Sequence, residues 1–144
     1  DASFTGGEFS VKRDLFEALS FKVSGDAQVS IVNASFDGGG RPPRIPPRAA
    51  IFGVTAESVQ WTGRVEVQDV AKQKRTAEFE SETDGYTFLN ARLAFRPFGE
   101  EKDLTLSLDA RNLTDEEARV HASFLKDELP LPGRDLRFTI SSSF

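Results

Sequence analysis

From Leu19 to Ile31 the odd positions read Leu, Phe, Val, Gly, Ala, Val, Ile, and the even positions from Ser20 to Ser30 read Ser, Lys, Ser, Asp, Gln, Ser. A helix would spread both sets around its surface, whereas a strand sends one set to each face of a sheet. The segment therefore predicts a long strand. The same period of two recurs at Leu104, Leu106, Leu108 and Ala110 against Thr105, Ser107, Asp109 and Arg111. It returns at the end, where Leu136, Phe138, Ile140 and Phe144 oppose Arg137, Thr139, Ser141 and Ser143. Trp61 to Gln73 alternates through Val65 and Val67, and Leu89, Ala91, Leu93 and Phe95 oppose Asn90, Arg92 and Arg96. Thr5 to Arg13 and Arg48 to Glu57 alternate less cleanly, which brings the expected total to seven strands.

Short turns are expected at Asp14 to Ala18, Ser58 to Gln60 and Gly99 to Asp103. Longer polar loops are expected at Ser35 to Pro47, Glu78 to Gly85 and Thr114 to Gly133. The two kinds alternate along the chain, so short turns share one end of the sheet and long loops the other. An all-β, antiparallel up-and-down meander with that asymmetry has the pattern of an outer-membrane barrel, whose inner turns are short and outer loops long. Aromatic placement agrees with a girdle at the membrane surface. Phe16, Phe21, Trp61, Phe95, Phe98 and Phe144 fall near the short-turn end, with Tyr86 and Phe88 near the opposite rim.

Alternation by itself fits two environments, because lipid outside a polar lumen and water outside an apolar core both require one apolar and one polar face. Closure separates them. Bacterial single-chain barrels have an even strand number of about 8 or more, and open edges are not tolerated in lipid. Seven strands thus imply a segment of a larger transmembrane β-barrel. The alternatives are a self-contained soluble antiparallel β-barrel or sandwich binding a small ligand, and a sheet that associates with copies of itself edge to edge.

Composition narrows the chemistry. The 144 residues carry 18 basic and 23 acidic side chains, a net charge of -5, which lacks the basic footprint of a nucleic-acid binder. Cysteine is absent, which removes disulfides, thiolate metal sites and thiol nucleophiles. One histidine, in a loop of acidic residues, supports neither a Ser-His-Asp arrangement nor a usual metal-ligand set, so enzyme activity and a cofactor are not expected.

Three short motifs resemble, in order, the C-terminal end of a TonB-dependent outer-membrane receptor. Asp84-Gly85-Tyr86-Thr87-Phe88-Leu89-Asn90-Ala91 is similar to that family's entry into a late strand. Arg111-Asn112-Leu113-Thr114-Asp115 resembles the exit from its penultimate strand, and Pro130-Leu131-Pro132-Gly133-Arg134 the approach to the last. The terminal Phe144, with Phe138 and Ile140 before it, resembles the signal read by the barrel-assembly machinery. The resemblance covers most of the chain and implies a plugged barrel of about 22 strands, of which residues 1–144 would be the C-terminal segment without its plug or TonB box. It further implies an outer-membrane importer of a scarce nutrient such as a siderophore, metal, vitamin or sugar. Its partners would be the rest of the barrel and plug, TonB, the assembly machinery and lipid.

Candidate ligand contacts lie in the long loops: Arg41, Arg44, His121, Lys126 and Asp127. His121 is also a candidate metal ligand, set against the simpler expectation of a solvated loop. Thr114-Asp115-Glu116-Glu117 has capping-box spacing and predicts a short helix. Gly38 to Pro43 predicts a flexible hairpin loop whose Arg41 and Arg44 reach lipopolysaccharide or ligand.

Overall fold

A computed structural model describes residues 1–99 and 103–143. These form one seven-stranded antiparallel sheet in simple sequence order. The strands are β1 Ala2–Ala18, β2 Phe21–Phe36, β3 Ala49–Glu57, β4 Trp61–Val70, β5 Tyr86–Phe95, β6 Leu104–Arg111 and β7 Asp135–Ser142. The meander is as expected. A closed soluble barrel or a two-layer sandwich is not, because a single open sheet leaves the apolar stripe uncovered. Phe9, Phe52, Val54, Val65, Leu93, Leu108, Phe138 and Ile140 are all exposed.

The registers show that these side chains share one face. Phe9 lies opposite Val29, Ala27 opposite Phe52, Val54 opposite Val65, Leu93 opposite Leu108, and Leu108 opposite Phe138. Asp26, Gly53, Glu66 and Asn90 occupy one row of the other face.

Several boundaries differ from the sequence reading, each for a local reason. Residues Asp14 to Ala18 continue β1 instead of forming a turn, because the register shifts between Asp14 and Phe16. The resulting bulge puts Leu15 and Phe16 side by side and breaks the period that alternation relies on. The turn itself is Leu19-Ser20, with φ of 50° and 68°. Positive φ at both central residues is the geometry that matches strand twist in two-residue hairpins, although Asn-Gly is the usual sequence for it.

β2 runs past Ile31 to Phe36 because the alternation inverts there and does not stop. Beyond that point Thr5 opposite Asn33 and Ser3 opposite Ser35 fall on the formerly apolar face, and Phe4 opposite Ala34 falls on the formerly polar one. β3 pairs with β2 only as far as Ser30, so the β1–β2 hairpin rises above its neighbour as a two-stranded ribbon. β4 ends at Val70, three residues before the expected Gln73, and Gln73 instead bridges Thr83 inside the following loop. Tyr86 and Phe88 belong to β5 and share a face with Asn90, since Val70 pairs with Tyr86 and Gln68 with Phe88. They are thus turned to the polar face and are not part of an outward girdle. At the other end, Trp61 stacks on Phe95 with ring centroids 4.3 Å apart, on the apolar face as expected. Most of the expected Gly99 to Asp103 turn, and Phe144, lie outside the described residues.

Candidate functional site: an interlocked loop cap joined to a polar wall

The long connections, residues 37–48, 71–85 and 112–134, gather at one end of the sheet and hold most of its burial. Gln73, Thr83, Tyr86, Asn112, Ala118, His121 and Lys126 are all buried there. Buried polar groups require partners, and here the partners come from different loops.

Glu80 is the hub. Its Oε1 accepts from the Arg44 backbone amide at 2.8 Å, and its Oε2 from the Ala77 amide at 2.9 Å. His121, whose side chain is 0% exposed, places Nδ1 3.0 Å from Thr83 Oγ1 and Nε2 3.4 Å from Glu80 Oε1. Nε2 makes no hydrogen bond of good geometry. Burial pushes the imidazole below its ordinary value, with Glu80 opposing and Lys126 reinforcing. Burial pushes the Glu80 carboxyl up, but the Ala77 and Arg44 amides, with His121 and Lys126, outweigh it and leave Glu80 below the usual range. His121 is therefore a buried packing group whose neutral form burial favours, and the expected solvated histidine is corrected. Among the described residues no cluster of three or more His, Cys, Asp or Glu side chains is placed to hold a metal.

Lys126 is buried and donates to the Ser81 carbonyl at 2.7 Å and to Ser81 Oγ. Ser81 Oγ in turn donates to Asp127 at 2.5 Å, and that hydrogen bond, with Lys126, holds the Asp127 carboxyl below its usual range. The Arg44 guanidinium sits 3.8 Å from the centre of the Phe124 ring, tying the first loop to the third. Gln73 Nε2 donates to the Ile45 carbonyl at 2.8 Å. Thus Arg44, His121, Lys126 and Asp127 come together as the pins of one cap. Arg41 is not among them and makes no hydrogen bond or ion pair among the described residues.

Asn112 joins the cap to the wall. Its φ of 48° is a left-handed conformation that asparagine tolerates better than most residues. Its Oδ1 accepts from the Glu116 amide at 2.9 Å, and Nδ2 donates to the Glu116 carbonyl at 2.9 Å and the Pro132 carbonyl at 3.4 Å. Turns take the place of the helix expected after Thr114, because Asn112 performs the capping that the spacing along the chain assigns to Thr114.

The chain of polar contacts continues down the polar face. Asn90 Oδ1 accepts from the Asn112 amide at 3.0 Å, and Asn90 Nδ2 donates to Glu66 at 3.3 Å. Arg64 binds Glu66 through Nη2 at 2.8 Å and grips Asp26 through both terminal nitrogens at 2.6 and 2.9 Å. Arg64 Nη1 also donates to Thr55 on β3 at 3.1 Å, so four strands, β2 to β5, and the third loop are linked by one network.

Known proteins share this architecture. A family model described as TonB dependent receptor-like, beta-barrel, matches residues 1–113. The chain belongs to the TonB-dependent receptor β-barrel family. No curated protein matches it. Among solved structures it is similar to the copper transporter OprC, with a TM-score of 0.85 and 24% identity over 99% of this chain. It spans 24% of that chain's length.

For a TonB-dependent receptor barrel, the residues that sequence reasoning missed are Glu80, Thr83 and Ser81, which receive the candidates it did name. Glu78 to Gly85 reads along the chain only as a polar loop. No local periodicity marks a carboxylate that will be buried by a different loop.

Proposed function

We propose that this chain forms the C-terminal wall and part of the outward loop cap of a TonB-coupled importer of a scarce nutrient in the outer membrane of a Gram-negative bacterium. The single observation that carries the reading is the two-faced open sheet. Its apolar face suits acyl chains, its polar face suits a filled lumen, and its long loops interlock at one end only. The free edges of β1 and β7 would pair with the remaining barrel strands, since lipid leaves no unpaired backbone.

Phe138 and Ile140 lie exposed on the apolar face of β7. This supports a role, with Phe144, as the part recognised by the barrel-assembly machinery. In the cap, Arg44, His121 and Lys126 hold the loops in place; Asp127 also pins Ser81 but keeps its side chain 66% exposed, so it and Arg41 are left to meet a ligand. The plug and TonB would contact sequence beyond these residues.

Copper is the first cargo to test, since OprC, which shares the fold, is a copper transporter. Its preferred soft ligands are not supplied here, because the chain has no Cys or Met and its one His is buried. Copper ligands would therefore lie elsewhere in the protein. The test is growth and uptake in a strain lacking the full gene, under separate limitation for iron, copper, cobalamin and oligosaccharide, with and without TonB. One TonB-dependent uptake defect, restored by the intact gene, supports the reading. Normal uptake of every nutrient, or uptake indifferent to TonB, sinks it.

A further inference from the structure

The polar face of β5 to β7 carries a row in which one carboxylate stands between two guanidiniums. Arg92 pairs in register with Asp109, and Asp109 with Arg137. In the adjoining row Arg111 faces Asp135. The ion pairs here are long, single contacts: Arg92 Nε to Asp109 at 3.6 Å and Arg137 Nη2 to Asp135 at 3.9 Å. Arg64, by contrast, spends its donors on two short carboxylate pairs. Asp109 lies low, 27% exposed, while the side chains of Arg92 and Arg137 stand above it at 57% and 66%. The Arg111 side chain makes no hydrogen bond or ion pair among the described residues. Three guanidiniums thus share two carboxylates on a chain whose overall charge is negative.

These side chains line a recess of about 790 Å³ that also takes in Phe88, Leu131 and Pro132. Toward the short-turn end a smaller recess of about 230 Å³ adds the hydroxyls of Thr105, Ser107, Thr139 and Ser141. Ser107 pairs with Thr139, and Thr105 with Ser141. The result is a stripe of cations followed by two rows of hydroxyls, running from beneath the cap toward the opposite end. Guanidinium forks bind carboxylate and phosphate groups in planar, bidentate fashion, and hydroxyls can donate to the same oxygens.

We propose that this stripe is an oxyanion station: Arg92, Arg111 and Arg137 receive a solute bearing carboxylate or phosphate groups, and the hydroxyl rows accept it next. The proposal deepens the importer reading and rests on it. It gives the cargo, or a group the cargo carries, a negative charge. Phe88 supplies an apolar flank for the remainder of the solute.

The test uses the full-length receptor in detergent, titrated calorimetrically with inorganic phosphate and separately with citrate. Saturable binding of either probe is expected, weakened about tenfold by Arg111→Gln and abolished when Arg92→Gln and Arg137→Gln are added. Arg111→Lys should recover part of the loss. Because Arg111→Gln breaks no hydrogen bond or ion pair, it carries the test if the triple variant fails to fold. The absence of saturable binding overturns the proposal, whether the stripe has no affinity or carboxylates elsewhere in the receptor already fill it. Binding that the variants leave unchanged overturns it too. The titration needs no TonB and no energy source, so its failure leaves the uptake experiment intact, and a failure of uptake leaves the titration readable.

Discussion

The guanidinium of Arg64 lies flat against the backbone of Gly53. Nη1, Nη2 and Cζ of Arg64 fill the space that a β-carbon at Gly53 would need. Gly53 stands in register between Asp26 on β2 and Glu66 on β4, so its missing side chain is what lets one arginine reach carboxylates on strands either side of it.

Gly53→Val should therefore displace Arg64 and leave Asp26 and Glu66 facing each other without a cation. Hydrogen bonds to charged groups contribute about 1.5–3 kcal/mol each, so a loss of about 2–3 kcal/mol is expected for the variant or for Arg64→Ala. Urea unfolding of the full receptor in detergent measures it. A change below about 0.5 kcal/mol, the level of an ordinary surface substitution, would show the network to be incidental.

The cap should loosen in mild acid. His121 has its imidazole held below the ordinary value of 6.5 by burial, against the pull of Glu80. A histidine lowered in the folded state contributes stability that is complete above 6.5 and lost as pH falls through its folded value. Glu80 and Asp127, both lowered, lose their contributions only below the ordinary carboxylate range. Amide protection factors in residues 71–85 and 112–134, with the intrinsic slowing of exchange toward acid divided out, should fall between pH 7 and pH 5, and His121→Gln should remove that dependence. Equal protection factors at both pH values in the native protein would refute it.

Asn112→Ala should free the third loop. The change removes four side-chain hydrogen bonds, one of them from Thr114 Oγ1, and puts alanine at a positive φ. A cost of about 2–4 kcal/mol to local opening is expected. Limited trypsin digestion, read at Arg119 and Lys126, should speed up while cleavage elsewhere is unaltered.

The contact of Arg44 with Phe124 is exposed, and its energy should be small. A double-mutant cycle with Arg44→Ala and Phe124→Ala should yield a coupling of about 0.5–1 kcal/mol, measured on cap opening by exchange. Zero coupling would mean that the first and third loops are joined only through the second, by the contacts of Gln73, Glu80, Ser81 and Thr83.

The 144-residue polypeptide by itself should not remain monomeric in buffer. Every residue of β1 is exposed, leaving a 17-residue edge open beside an uncovered apolar face. Edges of that kind pair with other chains. Light scattering after size exclusion should show multimers without detergent and smaller species with it. A cooperative monomer in buffer would favour the soluble reading instead.

What could be read before folding followed from physics that acts between near neighbours. The period of two assigned β3 to β7 and the long part of β2, because side chains alternate across a pleat whatever the sheet later meets. It faltered where a local irregularity reset the count: at the Leu15 bulge, at the Leu19-Ser20 turn without asparagine or glycine, and beyond Ile31 where the two faces exchange character. His121 could be named as a candidate from its rarity alone. Its burial could not, since Glu80 and Thr83, which enclose it, lie about 40 residues away in another loop.

The linear order of residues by itself determined the all-β meander, its apolar and polar faces and the end at which the long loops gather, since alternation and chain direction are local. Only the tertiary structure decided which loop side chains meet, that Asn112 and not Thr114 organises the third loop, and that Arg64 can span three strands over Gly53. Those outcomes depend on strand register, which brings distant residues within hydrogen-bond reach and has no trace in the spacing along the chain.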